Sequence, residues 1–188
     1  MTATASPFGL RPSYSSSGTL RPEAFTIASG YNTDIFQYQP VAIGVAAPND
    51  GTLIAAPVGG RFIGVFMGVE WTNSNGRRRF SNKWTANTAG SEIVAYSMRD
   101  QQPTVYEIQS NAALVIADIG KQFDFSAASG NAIVGISTQS LNVASAAANA
   151  SLRLLGLAPG PDNAWGDPFV NVRVQISEHQ DVADVAAY

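Results

Sequence analysis

Side chains able to do chemistry are few in this chain, and they stand apart from one another. The one histidine, His179, follows Ser177 and Glu178 near the end of an alternating apolar–polar run. A Ser/His/acid triad needs three groups converging in space, whereas neighbours along a strand point to opposite faces. The spacing therefore predicts a solvated or interface histidine. Transition-metal sites recruit several His or Cys ligands, and there is no cysteine. That absence excludes disulfides, thiolate catalysis and Cys-bound zinc. Carboxylates can do acid–base work alone, but the acidic residues, Glu70, Asp100, Glu107 and Asp124 among them, are scattered singly. The group Asp162-Asn163 with Asp167, inside Pro159–Pro168, comes nearest to an oxygen-rich calcium loop. It lacks the EF-hand spacing, and Asp, Asn, Gly and Pro are ordinary turn formers. Trp165 in the same loop reads as an anchor, pinning it to the body or to a neighbour. No phosphate-binding glycine motif occurs. The expectation is a chain with no catalytic residues, no metal and no cofactor.

Arg77-Arg78-Arg79, flanked by Trp71, Phe80 and Trp84, is the one basic patch. Arginine beside aromatics can serve nucleic acid. The net charge of −3 gives no general attraction to phosphate, so nucleic acid is not an expected partner. The patch suits acidic residues on a partner protein, or a solvated hairpin following the Asn73–Gly76 turn.

The elements that would carry these residues are short and mostly extended. Apolar residues make up 45% of the 188-residue chain and charged residues 13%, the latter about half the usual share. Interface cores are depleted of charge, so the composition points to self-association. No apolar run approaches the roughly 20 residues that span a bilayer, and the first ten residues lack a signal-peptide pattern. The reading is a soluble protein made in the cytoplasm, with no membrane partner.

Residues 1–24 hold a serine cluster between Arg11-Pro12 and Arg21-Pro22, which bars a helix. Phe8, Leu10, Tyr14 and Leu20 punctuate it as apolar hooks. It reads either as a loose terminus or as an extended arm laid on a neighbouring subunit. Residues 25–188 read as a single β domain. Strands are expected at Val41–Val45, Leu53-Ile54, Arg61–Trp71, Ile93–Met98, Thr104–Gln109, between Ile133 and Val143, at Leu152–Leu157 and along Val170–His179. In Arg61–Trp71 one face would carry Ile63, Val65, Met67, Val69 and Trp71, the other Phe62, Gly64, Phe66, Gly68 and Glu70. Both are largely apolar, so the strand should be covered on both sides, and Phe62 and Phe66 need a cover. Asn111–Ile119 suggests one or two helical turns with Asn111 as N-cap, and Ala144–Ala150 a loop or short helix. The fold class is all-β: a compact barrel or sandwich, jelly roll included, with an extended N-terminal arm and little helix.

Several segments, taken in order, resemble head structural proteins of tailed bacteriophages. They are Pro7-Phe8-Gly9-Leu10-Arg11-Pro12, Gly18-Thr19-Leu20-Arg21-Pro22, Gly51–Trp71, Asp118-Ile119-Gly120, Leu152–Pro159, Asp162–Asp167 and Val172–Gln180. The family they resemble is that of capsid decoration, or cement, proteins. Membership would imply a non-enzymatic virion protein on the capsid surface, clamping neighbouring subunits of the major capsid protein, commonly as a homotrimer. Decoration proteins have several unrelated β folds, so the resemblance leaves barrel against jelly roll open. Partner contacts would come from Phe8, Leu10, Tyr14, Arg77, Arg78, Arg79 and Trp165. The rivals are another virion part (tail or adaptor), a glycan-binding sandwich presenting Trp71, Trp84 and Trp165, and a carboxylate hydrolase.

Overall fold

Short apolar runs cut by Gly, Pro, Asn and Asp turns produce strands and almost nothing else. The structure, a computed structural model, describes residues 4–100 and 104–184. The first half supplies β1 (Arg11–Ser15), β2 (Glu23–Phe25), β3 (Pro40–Ile43), β4 (Leu53–Ala55), β5 (Gly64–Thr72), β6 (Arg78–Ser81) and β7 (Ser91–Arg99). The second half supplies β8 (Thr104–Gln109), β9 (Gln122–Phe125), β10 (Gly130–Asn131), β11 (Ile136–Ser137), β12 (Leu141–Ala147), β13 (Leu152–Leu157) and β14 (Asn171–Ile176). A single 3-10 turn, Ile116–Asp118, is the one helical element among the described residues.

One sheet runs β2-β7-β5-β3-β4, with β6 also paired to β5; the other runs β1-β8-β14-β13-β9-β12. All these pairings are antiparallel. The chain thus builds one sheet from β2 to β7 and the other from β8 onward, except that β1 joins the later sheet and β10 pairs with β11 in a separate two-stranded sheet. The architecture is an all-β sandwich, and neither sheet closes into a barrel.

Between the sheets lies a core containing Phe62, Val65 and Met98 from one side and Tyr106, Phe123, Phe125, Leu152, Val172 and Val174 from the other. Phe62 meets Phe125 edge to face, with ring centroids 5.6 Å apart. A second core of Ile35, Val41, Leu53, Ile63, Phe66 and Trp84 covers the other face of the β5-containing sheet. Ile35 and Trp84 exchange backbone hydrogen bonds of 3.0 and 2.8 Å, which fixes that cover in place.

β5 is therefore buried on both faces, as its sequence predicts, but the cover comes from the chain itself. Phe62 and Phe66 are both fully buried, so they give no reason to expect a second subunit there. The expected division of faces also fails. β5 slips against β7 between Phe66 and Gly68 and again between Glu70 and Thr72. Such bulges break period-2 alternation: Val65 points into the shared core, whereas Phe66 and Val69 point into the outer one.

The N-terminal stretch is built into the sandwich rather than extended from it. Leu10 is 0% exposed and sits in the shared core, its N–H donating to the Tyr38 carbonyl at 2.8 Å. Gly9 makes this entry possible: its φ is 78°, and a Cβ there would meet Tyr38 O and Ser137. β1 then pairs with β8 and β2 with β7, so residues 11–25 tie one sheet to the other. Residues 1–3 of the expected arm and 185–188 of the expected domain lie outside the described residues. Two other local expectations are corrected. Asn111 does not cap a helix; its side chain accepts the Val143 N–H at 3.0 Å and so secures β12. The alanine-rich segment after Val143 continues β12 as a strand to Ala147.

Candidate functional site

The three arginines start from a tight hairpin. Asn73 Oδ1 accepts the N–H groups of Asn75 and Arg77 at 3.1 and 3.0 Å, and Gly76 takes a φ of 70° that favours glycine. β5 and β6 leave this turn in register, pairing Trp71 with Arg79 and Glu70 with Phe80. Alternation then splits the basic run. Arg78 lies on the Glu70 face, 3.1 Å from that carboxylate and 3.8 Å from Glu92, and donates to the Glu92 carbonyl at 2.9 Å. The Tyr96 hydroxyl, bonded to Glu70 at 2.8 Å, and then Arg78 hold the Glu70 carboxyl below its usual pKa. Arg78 is thus a structural cation. Arg77 and Arg79 are exposed and have no ion pair among the described residues.

Beside this strand the chain displays apolar side chains. Phe80 is 75% exposed, Ile133 96% and Val134 54%. Ile133 and Val134 occupy the turn between β10 and β11, where Asn131 Oδ1 accepts both of their N–H groups. The turn is fastened next to β6, since Asn82 donates to Val134 O at 2.8 Å and Lys83 to Ala132 O at 2.6 Å. A fixed turn thus holds two β-branched residues outward next to the C-terminal end of β6, a strand with an exposed phenylalanine on one face and exposed Arg77 and Arg79 on the other.

The other expected contact residues lie elsewhere. Leu10 is in the core. Phe8 is half-buried under the Arg11 guanidinium, 4.9 Å from the ring centroid. Tyr14 is 57% exposed and borders a groove with Val105, Leu155, Gly156 and Arg173 on the outside of its sheet. Trp165 packs half-buried against the shared core of its own chain. Asn163 closes that loop by bonding the carbonyls of Ala158 and Asn171 and the N–H of Asn171. Comparison with protein-family models, with curated proteins and with solved structures finds no match.

His179 is buried, not solvated. The strand ends at Ile176, and His179 then bridges Phe62 from the far side of the chain. Asp181 N–H donates to its Nδ1 at 3.0 Å, leaving Nε2 to donate to the Ile63 carbonyl at 3.0 Å. Ser177 Oγ donates to the Ala150 carbonyl. Both side chains are committed to the backbone, and no triad forms between them. Burial pushes the Asp100 carboxyl up, against the Thr104 N–H bond that pulls it down. Among the described residues no group of three or more His, Asp or Glu side chains could hold a metal ion. Trp84 is fully buried and packs edge to face with Trp71 at 6.1 Å, so the tryptophans form no exposed platform. Among the described residues no helix is long and apolar enough to cross a membrane.

β1 is held to its sheet by Glu107, which accepts from Arg11 at 2.6 Å and from Ser13 at 2.9 Å. Burial works against the Glu107 charge. The Arg11 and Ser13 bonds, helped by the Arg11 and Arg173 charges, outweigh it and hold the carboxyl below its usual pKa. A carboxyl lowered on folding stabilises fully above its unfolded value, and that contribution is lost as pH falls through the folded value. Denaturant midpoints should therefore fall on acidification from about pH 5 to 3, and the Glu107→Gln variant should show a flatter profile. Parallel profiles for the two proteins would refute this anchor.

Proposed function

We propose that this chain is a non-enzymatic virion structural protein that binds the outer surface of a tailed-phage capsid and cements neighbouring major capsid subunits. It would act as a homo-oligomer, with a trimer favoured. The observation that carries the reading is β6 and the turn fastened to its C-terminal end: Arg77 and Arg79, with no ion pair among the described residues, on one face, the exposed Phe80 on the other, and Ile133 and Val134 held outward on fixed backbone. Such a surface suits docking against a protein. The ordered run of segments resembling phage head proteins supplies the identity of the shell.

The physical basis is multivalency. An oligomer touching several shell subunits forms its later contacts at high effective concentration, so weak contacts add up to tight attachment. A ligand that binds only the assembled shell stabilises that state by linkage. Purified protein added to undecorated mature shells of the cognate phage should raise their resistance to heat and osmotic shock. In sedimentation it should run as an oligomer at micromolar concentration. A monomer that leaves shell resistance unchanged would overturn the reading.

A further inference from the structure

We propose that β6 is a docking edge that accepts an extended acidic–apolar segment of a partner protein as an added strand. The inference rests on reading this surface as a docking site, not on the partner being a capsid.

β6 is an edge strand: among the described residues it pairs with β5 on one side and with no strand on the other. Asn73 N–H bonds Arg77 O at 3.0 Å. In an antiparallel ladder bonded pairs recur every second residue, so Arg79 faces Trp71 and Ser81 faces Val69 as bonded pairs. The N–H and C=O groups of Arg78 and Phe80 must then point outward along the open edge. An edge of this kind is a template for another strand.

The side chains specify which strand. Arg77 and Arg79 project from one face of β6 and Phe80 from the other, because alternate residues point to opposite faces. A strand laid alongside meets cations on one face and an aromatic ring on the other. Cross-strand pairs stabilise a sheet when charges are opposite and apolar groups meet. The complementary segment therefore alternates acidic and apolar residues. The Ile133-Val134 turn, fastened at the C-terminal end of β6 through Asn82 and Lys83, extends the apolar contact beyond the strand. Arginines on an edge can also serve only to block unwanted pairing. A merely protective edge gives no account of Phe80 at 75% exposure, or of the Asn131 turn that holds Ile133 at 96%.

The test uses a capped heptapeptide alternating glutamate and valine, titrated into the full-length protein at low salt. Binding is expected, weakening as salt rises. It should be absent for the same peptide with lysine in place of glutamate, or with N-methylated valines that cannot complete a ladder. The double variant Arg77→Glu/Arg79→Glu should raise Kd about tenfold or more. Phe80→Ala should weaken binding, and Phe80→Pro should abolish it by removing an outward N–H. Proline is tolerated on an edge strand at such a position, and unchanged circular dichroism would show the fold intact.

Equal binding by the glutamate and N-methylated peptides would overturn strand addition, as would binding unaffected by Phe80→Pro. Binding to phosphatidylserine vesicles with none to the peptide would assign the surface to membranes and overturn the proposal. Self-association lost in Phe80→Pro, without peptide binding, would assign the edge to a second copy and overturn it equally. Shell attachment retained without peptide binding would sink this proposal alone. Peptide binding without shell attachment would sink the capsid reading alone.

Discussion

Replacing Gly64 by alanine is expected to cost about 3 kcal/mol or more and to leave much of the chain unfolded. Gly64 opens β5 opposite Arg99 of β7, and a Cβ there would run into the Met98 carbonyl and the Arg99 Cα. Those are backbone atoms of the paired end of β7, so no flexible side chain can swing away. Relief would require separating β5 from β7, and β5 carries residues of both cores. Overpacking usually costs about 1–3 kcal/mol; a backbone collision inside a ladder belongs at or above the top of that range. Gly156 is the control. A Cβ there meets nothing within 4 Å, so Gly156→Ala should shift the denaturant midpoint little. Equal midpoints for the two variants would contradict the close approach of β5 and β7.

The second large effect concerns the N-terminus. Leu10→Ala should destabilise the sandwich by about 2–5 kcal/mol, the range for emptying a well-packed leucine site. A free arm would show no such loss. Truncation of residues 1–20 should be worse still, since it removes Leu10, β1 and the Glu107 ion pair together. Stability unchanged in Leu10→Ala, read by urea denaturation, would return this segment to the role of a detachable arm.

Elements defined by clean alternation between turns were legible from the sequence. β8 and β13 fall on the expected bounds Thr104–Gln109 and Leu152–Leu157, and the valines of β14 face inward as their spacing predicts. Misreadings follow from information that local pattern does not carry. A bulge moves every later side chain to the other face, so the faces of β5 could not be assigned from apolar spacing. Leu10 looked like a hook because its flanks are Ser- and Pro-rich; only the distant pairing of β1 with β8 buries it. By spacing His179 continues the polar face of the last strand, but the strand ends three residues earlier and the chain turns inward.

The basic run was legible as a hairpin beside a turn. Which arginine is free was not, because Glu92 reaches Arg78 from β7. The exposure of Ile133 and Val134 is not legible locally, since β-branched residues read as strand interior. The bracketing Gly130-Asn131 and Gly135 were the available signal that they sit on a turn.

The measurement that bears most directly on the capsid reading is a cryo-electron-microscopy map of the mature virion, compared with a map of a particle lacking this chain. The account predicts difference density on the outside of the shell, large enough for the sandwich and bridging neighbouring capsid subunits. The β6 edge and the Ile133-Val134 turn should face the shell there. Density confined to the tail or to the interior of the head, or no difference between the maps, would contradict it.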